Sequence, residues 1–171
     1  MKKENIFKKP ALIGYLVKKF NEKHPHKQIG NTIVQKMMYL LSRQNIVDFN
    51  YSMYHYGPYS SEVSRELNFS ENTGIVGSIW NTDKGRNIWA KETLDEFEEF
   101  IEEEEKDSIN KIIDKYGKYR ATDLAIIATG FYLRDRYDIP DEKLVEKVHS
   151  LKNKYTPEII KKLLKDSGIL E

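Results

Sequence analysis

Apolar residues recur at helical spacing along most of the chain and switch to alternation in two short places. Leu12, Tyr15, Leu16 and Phe20 form one helical stripe, opened by Pro10 at a position that the first turn tolerates. The loop HPHKQIGN breaks the pattern, and Asn31 or Thr32 is the expected cap of a second helix burying Ile33, Val34, Met37, Met38 and Leu41. Over residues 49–56, FNYSMYHY, the period changes to that of a strand. Phe49, Tyr51 and Met53 alternate with polar neighbours, which places Tyr54 and Tyr56 on the face opposite Met53 and His55. Gly57-Pro58 is expected to end that strand, because proline cannot donate to a ladder. Ser60 or Ser61 then caps a short helix to about Phe69, with Val63 and Leu67 inward.

The second change of period, residues 75–90, reads as a hairpin whose Gly85 supplies positive φ. The acidic stretch after it carries Leu94, Phe97 and Ile101 on one helical face over 92–105, and a second helix is expected around 108–116 with Gly117 as its stop. The most apolar segment, 122–137, predicts a central buried helix. Leu144, Val148 and Leu151 predict a further inward face, and Thr156-Pro157 opens a last helix running towards Gly168. Together these elements predict a mainly α domain of about seven or eight helices, with one short strand and a β-hairpin. Residues 1–171 are read as a single domain: an N-terminal half, 1–91, holding the strand and hairpin, and a helical half, 92–171.

Composition narrows the chemistry. The chain has 171 residues and no cysteine, which excludes a thiol nucleophile, a disulfide framework and thiolate metal sites. No apolar run approaches the ~20 residues of a membrane span. Lys18 and Lys19 interrupt the apolar stretch near the N-terminus, so it reads as a helix start in a cytoplasmic protein rather than a signal peptide. Net charge is +1, but residues 1–48 carry ten Lys/Arg against three acids and residues 92–107 ten acids against Lys106 alone. Two such segments can satisfy each other within one fold.

Candidate catalytic sets are weak. His24 and His26 are separated by a proline and lack ligand spacing, His149 sits on an ordinary helix, and Glu102 to Glu105 point in four directions around a helix. Ser60 and Ser61 lie near His55 but serve better as a cap, and no Walker, GxSxG or GxGxxG loop is present. The expectation is therefore no enzyme, no cofactor and no metal. A winged-helix DNA-binding regulator is the alternative, suggested by short helices and a hairpin with a DKGR tip. Against it, the helix after residue 60 carries Glu62 and Glu66 beside Arg65, and phosphate contact needs net positive charge.

One further pattern is specific. Lys36, Tyr39 and Leu40 form a K-x-x-Y-L helix motif, and an aromatic-rich strand ending in Tyr56-Gly57-Pro58 follows it. This pairing resembles the Panacea domain, the antitoxin-associated family with SocA-like and YwgA-like members, and the similarity extends over about residues 8 to 168 with Ala128-Thr129 as an A-T element. The resemblance implies a mostly helical cytoplasmic domain without catalytic residues, and a protein partner such as a toxin that it binds and neutralises. Tyrosine offers large contact area with few rotors to freeze. Tyr51, Tyr54, Tyr56 and Tyr59 are therefore the candidate partner-binding residues.

Overall fold

The computed structural model describes residues 5–171; the lysines at positions 2 and 3 lie outside that range. In chain order the elements are α1 (Lys8–Lys23), α2 (Asn31–Arg43), β1 (Ser52–Tyr54), β2 (Gly57–Tyr59), α3 (Ser61–Asn72), β3 (Val76–Asn81) and β4 (Gly85–Ala90). After two short 3-10 turns, Glu92–Glu96 and Glu98–Phe100, come α4 (Glu103–Tyr116), α5 (Ala121–Tyr137), α6 (Asp141–Leu151) and α7 (Pro157–Asp166). Among the described residues the fold is thus mainly α, with seven α-helices and two antiparallel two-stranded hairpins, and none of the helices is long and apolar enough to cross a membrane.

The centre is α5, where every residue from Leu124 to Leu133 is buried. It packs on α2, α6, α7 and strand β2. Burial of each large aliphatic side chain there contributes roughly 1.5–3 kcal/mol. α1 forms the second layer, against α3, α4 and β4. Several local signals act as the sequence predicts. Ser60 Oγ accepts from the Val63 amide at 3.2 Å to start α3, Thr156 Oγ1 accepts from Ile159 at 3.3 Å to start α7, and Gly85 turns β3 into β4 at φ +72°.

Three elements depart from expectation. α2 is preceded by Gly30 with no side-chain cap, because the Asn31 side-chain oxygen is taken by Arg86 Nη1 at 3.1 Å. The strand expected over 49–56 is shorter and not alone: Ser52–Tyr54 pairs with Gly57–Tyr59 around the two-residue turn His55-Tyr56. Pro58 stands within β2 opposite Met53, tolerable in a sheet of two edge strands.

The third departure is the acidic helix expected over 92–105, which breaks into the two 3-10 turns before α4 begins at Glu103. Like charges at i,i+3 and i,i+4 oppose a continuous α-helix there. Shorter turns still bury Leu94 and Ile101 and bring Phe97 to 5.2 Å from Phe7. The turns and the first turn of α4 present the acids to α1. Lys18 Nζ lies 2.6 Å from Glu98 and 3.7 Å from Asp95, while Lys8 Nζ lies 3.0 Å from Glu105. Glu105 also accepts from the Glu102 amide at 3.0 Å in a capping box that starts α4.

α1 approaches the β3–β4 hairpin closely at Gly14, where a Cβ would overlap the Ile75 Cγ2 methyl and lie 3.0 Å from Leu94 Cδ1. Two effects compete in Gly14→Ala: helix propensity gains about 1 kcal/mol, and overpacking a closed core costs about 1–3 kcal/mol. Ile75 and Leu94 have no exposed surface into which to retreat, so overpacking wins. Denaturant unfolding should show Gly14→Ala to be destabilised, and the same change in an Ile75→Ala background to be neutral or stabilising. A stabilised single variant would contradict this packing.

Candidate functional site

The K-x-x-Y-L and Y-G-P motifs meet in space. α2 begins its grip one residue before the motif, at Gln35. Its side-chain amide donates to Ser60 O at 2.9 Å and its carbonyl oxygen accepts from the Ser60 amide at 3.0 Å, a reciprocal pair in a buried setting. Lys36 reaches the next bend of the chain, donating from Nζ to Pro58 O at 3.0 Å with only 2% of the residue exposed. A lysine so placed is penalised in its charged form. Burial, reinforced by the nearby positive charge of Lys152, lowers its pKa from 10.5 to about 8.

Gly57 sits against α5 with φ +101°, and a Cβ there would stand 2.7 Å from Thr129 Oγ1 and 3.1 Å from Ala125 O. Thr129 cannot easily yield, since its hydroxyl donates to Ala125 O at 2.6 Å. The glycine is thus required twice, by its dihedral and by the close approach of two backbones. Tyr39 and Leu40 are buried in α2, and the Tyr39 ring meets Tyr51 at 5.1 Å and Tyr132 at 6.1 Å. Of the six motif residues only Tyr56 is exposed; the others hold the hairpin to the core.

A second lysine holds the turn from outside. Lys152, just after α6, donates to His55 O at 2.9 Å, and its ammonium lies 5.9 Å from the Tyr56 ring centre. Tyr54 and Tyr56 are 59% and 67% exposed, and Leu151 beside them is 51% exposed rather than inward as its spacing with Val148 suggests. The α6 helix ends at Leu151, so the residue leaves the buried stripe. Met53, Tyr54, His55, Leu151 and Lys152 line a cleft of about 350 Å³.

The four candidate tyrosines therefore divide. Tyr54 and Tyr56 project outward. Tyr51 is half-buried instead, its hydroxyl 3.3 Å from Ser42 Oγ and its pKa raised by burial. Tyr59 is half-buried too, with its hydroxyl 2.8 Å from Ser64 Oγ and its ring 5.5 Å from that of Tyr54. His55 is exposed in the turn, not set towards the core, because the chain reverses at residues 55–56 and ends the alternation there. Its imidazole lies 4.6 Å from the Tyr54 ring. Sequence reasoning missed Gln35, Lys152 and Leu151; the one available signal was Gln35, a polar residue inside an apolar helical stripe.

The other candidates stay apart. His24 is half-buried at 5.2 Å from Phe20, with burial lowering its pKa, whereas His26 is exposed and His149 half-exposed on α6. No cluster of three or more His, Asp or Glu among the described residues could hold a metal ion. On α3, Glu62 pairs with Lys9 at 2.7 Å, and burial raises the Glu66 pKa.

The family model described as "Antitoxin SocA-like, Panacea domain" matches residues 33–130, more than half of the chain. The chain belongs to the SocA-like Panacea family. The matched span holds most of α2, both hairpins and most of α5, so it contains Lys36, the β1–β2 hairpin and Thr129 but not Lys152. No curated protein matches the chain.

Gly57→Ala should lower stability by about 2 kcal/mol or more through strain and overlap. Adding Thr129→Ala should recover the overlap but not the strain, read as partial recovery of the unfolding midpoint. Full stability in the single variant would contradict the placement. The Lys36 shift gives a pH signature. The folded-state pKa, about 8, lies below the ordinary 10.5, so between those values the unfolded chain holds more protons. The burial penalty is complete below the lower value and relieved as pH rises through the window. The stability of the wild type relative to Lys36→Met should rise between pH 8 and 10.5; a pH-independent difference would contradict it.

Proposed function

We propose that the chain is a non-enzymatic protein-binding domain, working in the cytoplasm as an antitoxin that binds and neutralises a toxin. Family membership supports the antitoxin role. The observation that carries the site is the pair Tyr54 and Tyr56, exposed on a short turn held by Lys36 and Lys152. Interface hot spots favour such residues, since a tyrosine pre-set on a rigid backbone loses little entropy on binding. Leu151 and the cleft beside the turn give a partner an apolar edge and a recess, and His55 and Lys152 give it polar groups. Neutralisation would follow from covering the toxin's working surface or from delivering it to degradation.

Co-purification of the tagged chain from its native cells tests the proposal. The wild type should recover one stoichiometric protein partner. Tyr54→Ala with Tyr56→Ala should weaken capture by roughly 2 kcal/mol or more, the scale of an interface hot spot. Tyr137→Ala, which removes another exposed tyrosine, should retain it. Absence of any partner, or equal capture by the double variant, would overturn the assignment.

A further inference from the structure

A second groove, sharing no lining residue with the Tyr54–Tyr56 cleft, lies between the tip of the β3–β4 hairpin and the starts of α2 and α5. Its volume is about 810 Å³. Lys27, Lys84, Arg86 and Arg120 line it, no carboxylate does among the described residues, and Trp80 stands at it with 69% of its surface exposed. Two of the four cations have acid partners outside the groove: Arg86 is paired with Glu71, and Arg120 with Asp123 at 3.3 Å. Lys27 donates to the Tyr119 carbonyl at 3.0 Å and, like Lys84, makes no ion pair among the described residues, so the groove keeps an excess of positive charge. Asp83, one residue before Lys84, is the acid at the hairpin tip, and it is exposed outside the lining.

We propose that this groove binds a phosphate-bearing base, a nucleotide taken either free or as part of a single strand. Lys27, Lys84 and Arg120 hold the phosphate, and the indole of Trp80 stacks on the base. Cations alone would suit any anion. A flat, uncovered indole beside them selects for a partner that carries a π-face, and base–aromatic stacking contributes about 1–3 kcal/mol. The guanidinium of Arg86 lies over the Trp80 ring, 5.9 Å from its centre, and Ser78 and Asn31 hold that guanidinium in place. The starts of α2 and α5 at the same groove lack side-chain caps, and their amides add donors for the phosphate without carrying the argument. The site gives the DKGR tip of the sequence a role distinct from a winged-helix reading, since the cations act with Trp80 and not with α3.

The chain has two tryptophans, so Trp89→Phe leaves Trp80 as the sole reporter. The four mononucleotides, inorganic phosphate, a short oligothymidylate and hexaglutamate are titrated separately, with calorimetry on the wild type as a readout independent of the indole and of whether Trp89→Phe folds. Mononucleotides should quench Trp80 saturably and more tightly than phosphate alone. Lys84→Glu should weaken them at least about tenfold, the effect of one lost charge-assisted hydrogen bond, with an unchanged melting temperature. Tighter, salt-steep binding of the oligothymidylate would assign the single strand as source; equal or weaker binding would assign the free nucleotide. No saturable signal by either method up to roughly 1 mM nucleotide, indifference to Lys84→Glu, or tightest binding by hexaglutamate would overturn the proposal.

Discussion

The Lys36 ammonium is buried beneath the β1–β2 hairpin, and what surrounds it follows from the need to give that charge a partner. The partner is the carbonyl of Pro58, a residue with no amide of its own to offer a sheet. Bringing that carbonyl to α2 forces the preceding residue against α5, where Thr129 and the Ala125 carbonyl leave room only for glycine. One lysine, one glycine and one threonine thus tie α2, the hairpin and the central helix together. Gln35 locks the backbone at Ser60 through two reciprocal hydrogen bonds, and the Ser60 hydroxyl starts α3.

The exposed surface follows from this anchoring. With Gly57 and Pro58 drawn inward, the turn residues His55 and Tyr56 are left outside, and the Tyr54 side chain is exposed beside them. Lys152 then secures the turn through the His55 carbonyl, which links the hairpin to the end of α6. A turn bonded at both its base and its tip can present aromatic side chains without the disorder that normally accompanies loops. The motif's conspicuous aromatic content is therefore shared between two tasks: Tyr51 and Tyr59 pack and bond locally, while Tyr54 and Tyr56 remain available.

Much of this was legible in the chain. The 3.6-residue stripes located the helices, Ser60 and Thr156 marked two starts, and Gly85 marked a turn, because each signal acts within a few residues. The lone strand was half right. Alternation held from Phe49 to Tyr54, but period alone could not reveal that the chain would reverse at residues 55–56 and pair with itself. The acidic helix failed because helical spacing of Leu94, Phe97 and Ile101 says nothing of the repulsion among the acids between them, nor of the lysines on α1 that draw them apart. Lys152 was invisible because its partner is a backbone carbonyl, which every residue has, and Gln35 showed only as a polar residue in an apolar stripe, with nothing to point to Ser60.

The most direct test of the anchoring is amide hydrogen exchange, compared between the wild type and Lys36→Met at a pH where the lysine is charged. If the lysine holds the hairpin, residues 52–60 should exchange roughly tenfold faster or more in the variant, with α5 unchanged, since local opening is governed by the contacts of the opening unit. Unaltered exchange over 52–60, or a uniform acceleration across the whole chain, would contradict the account.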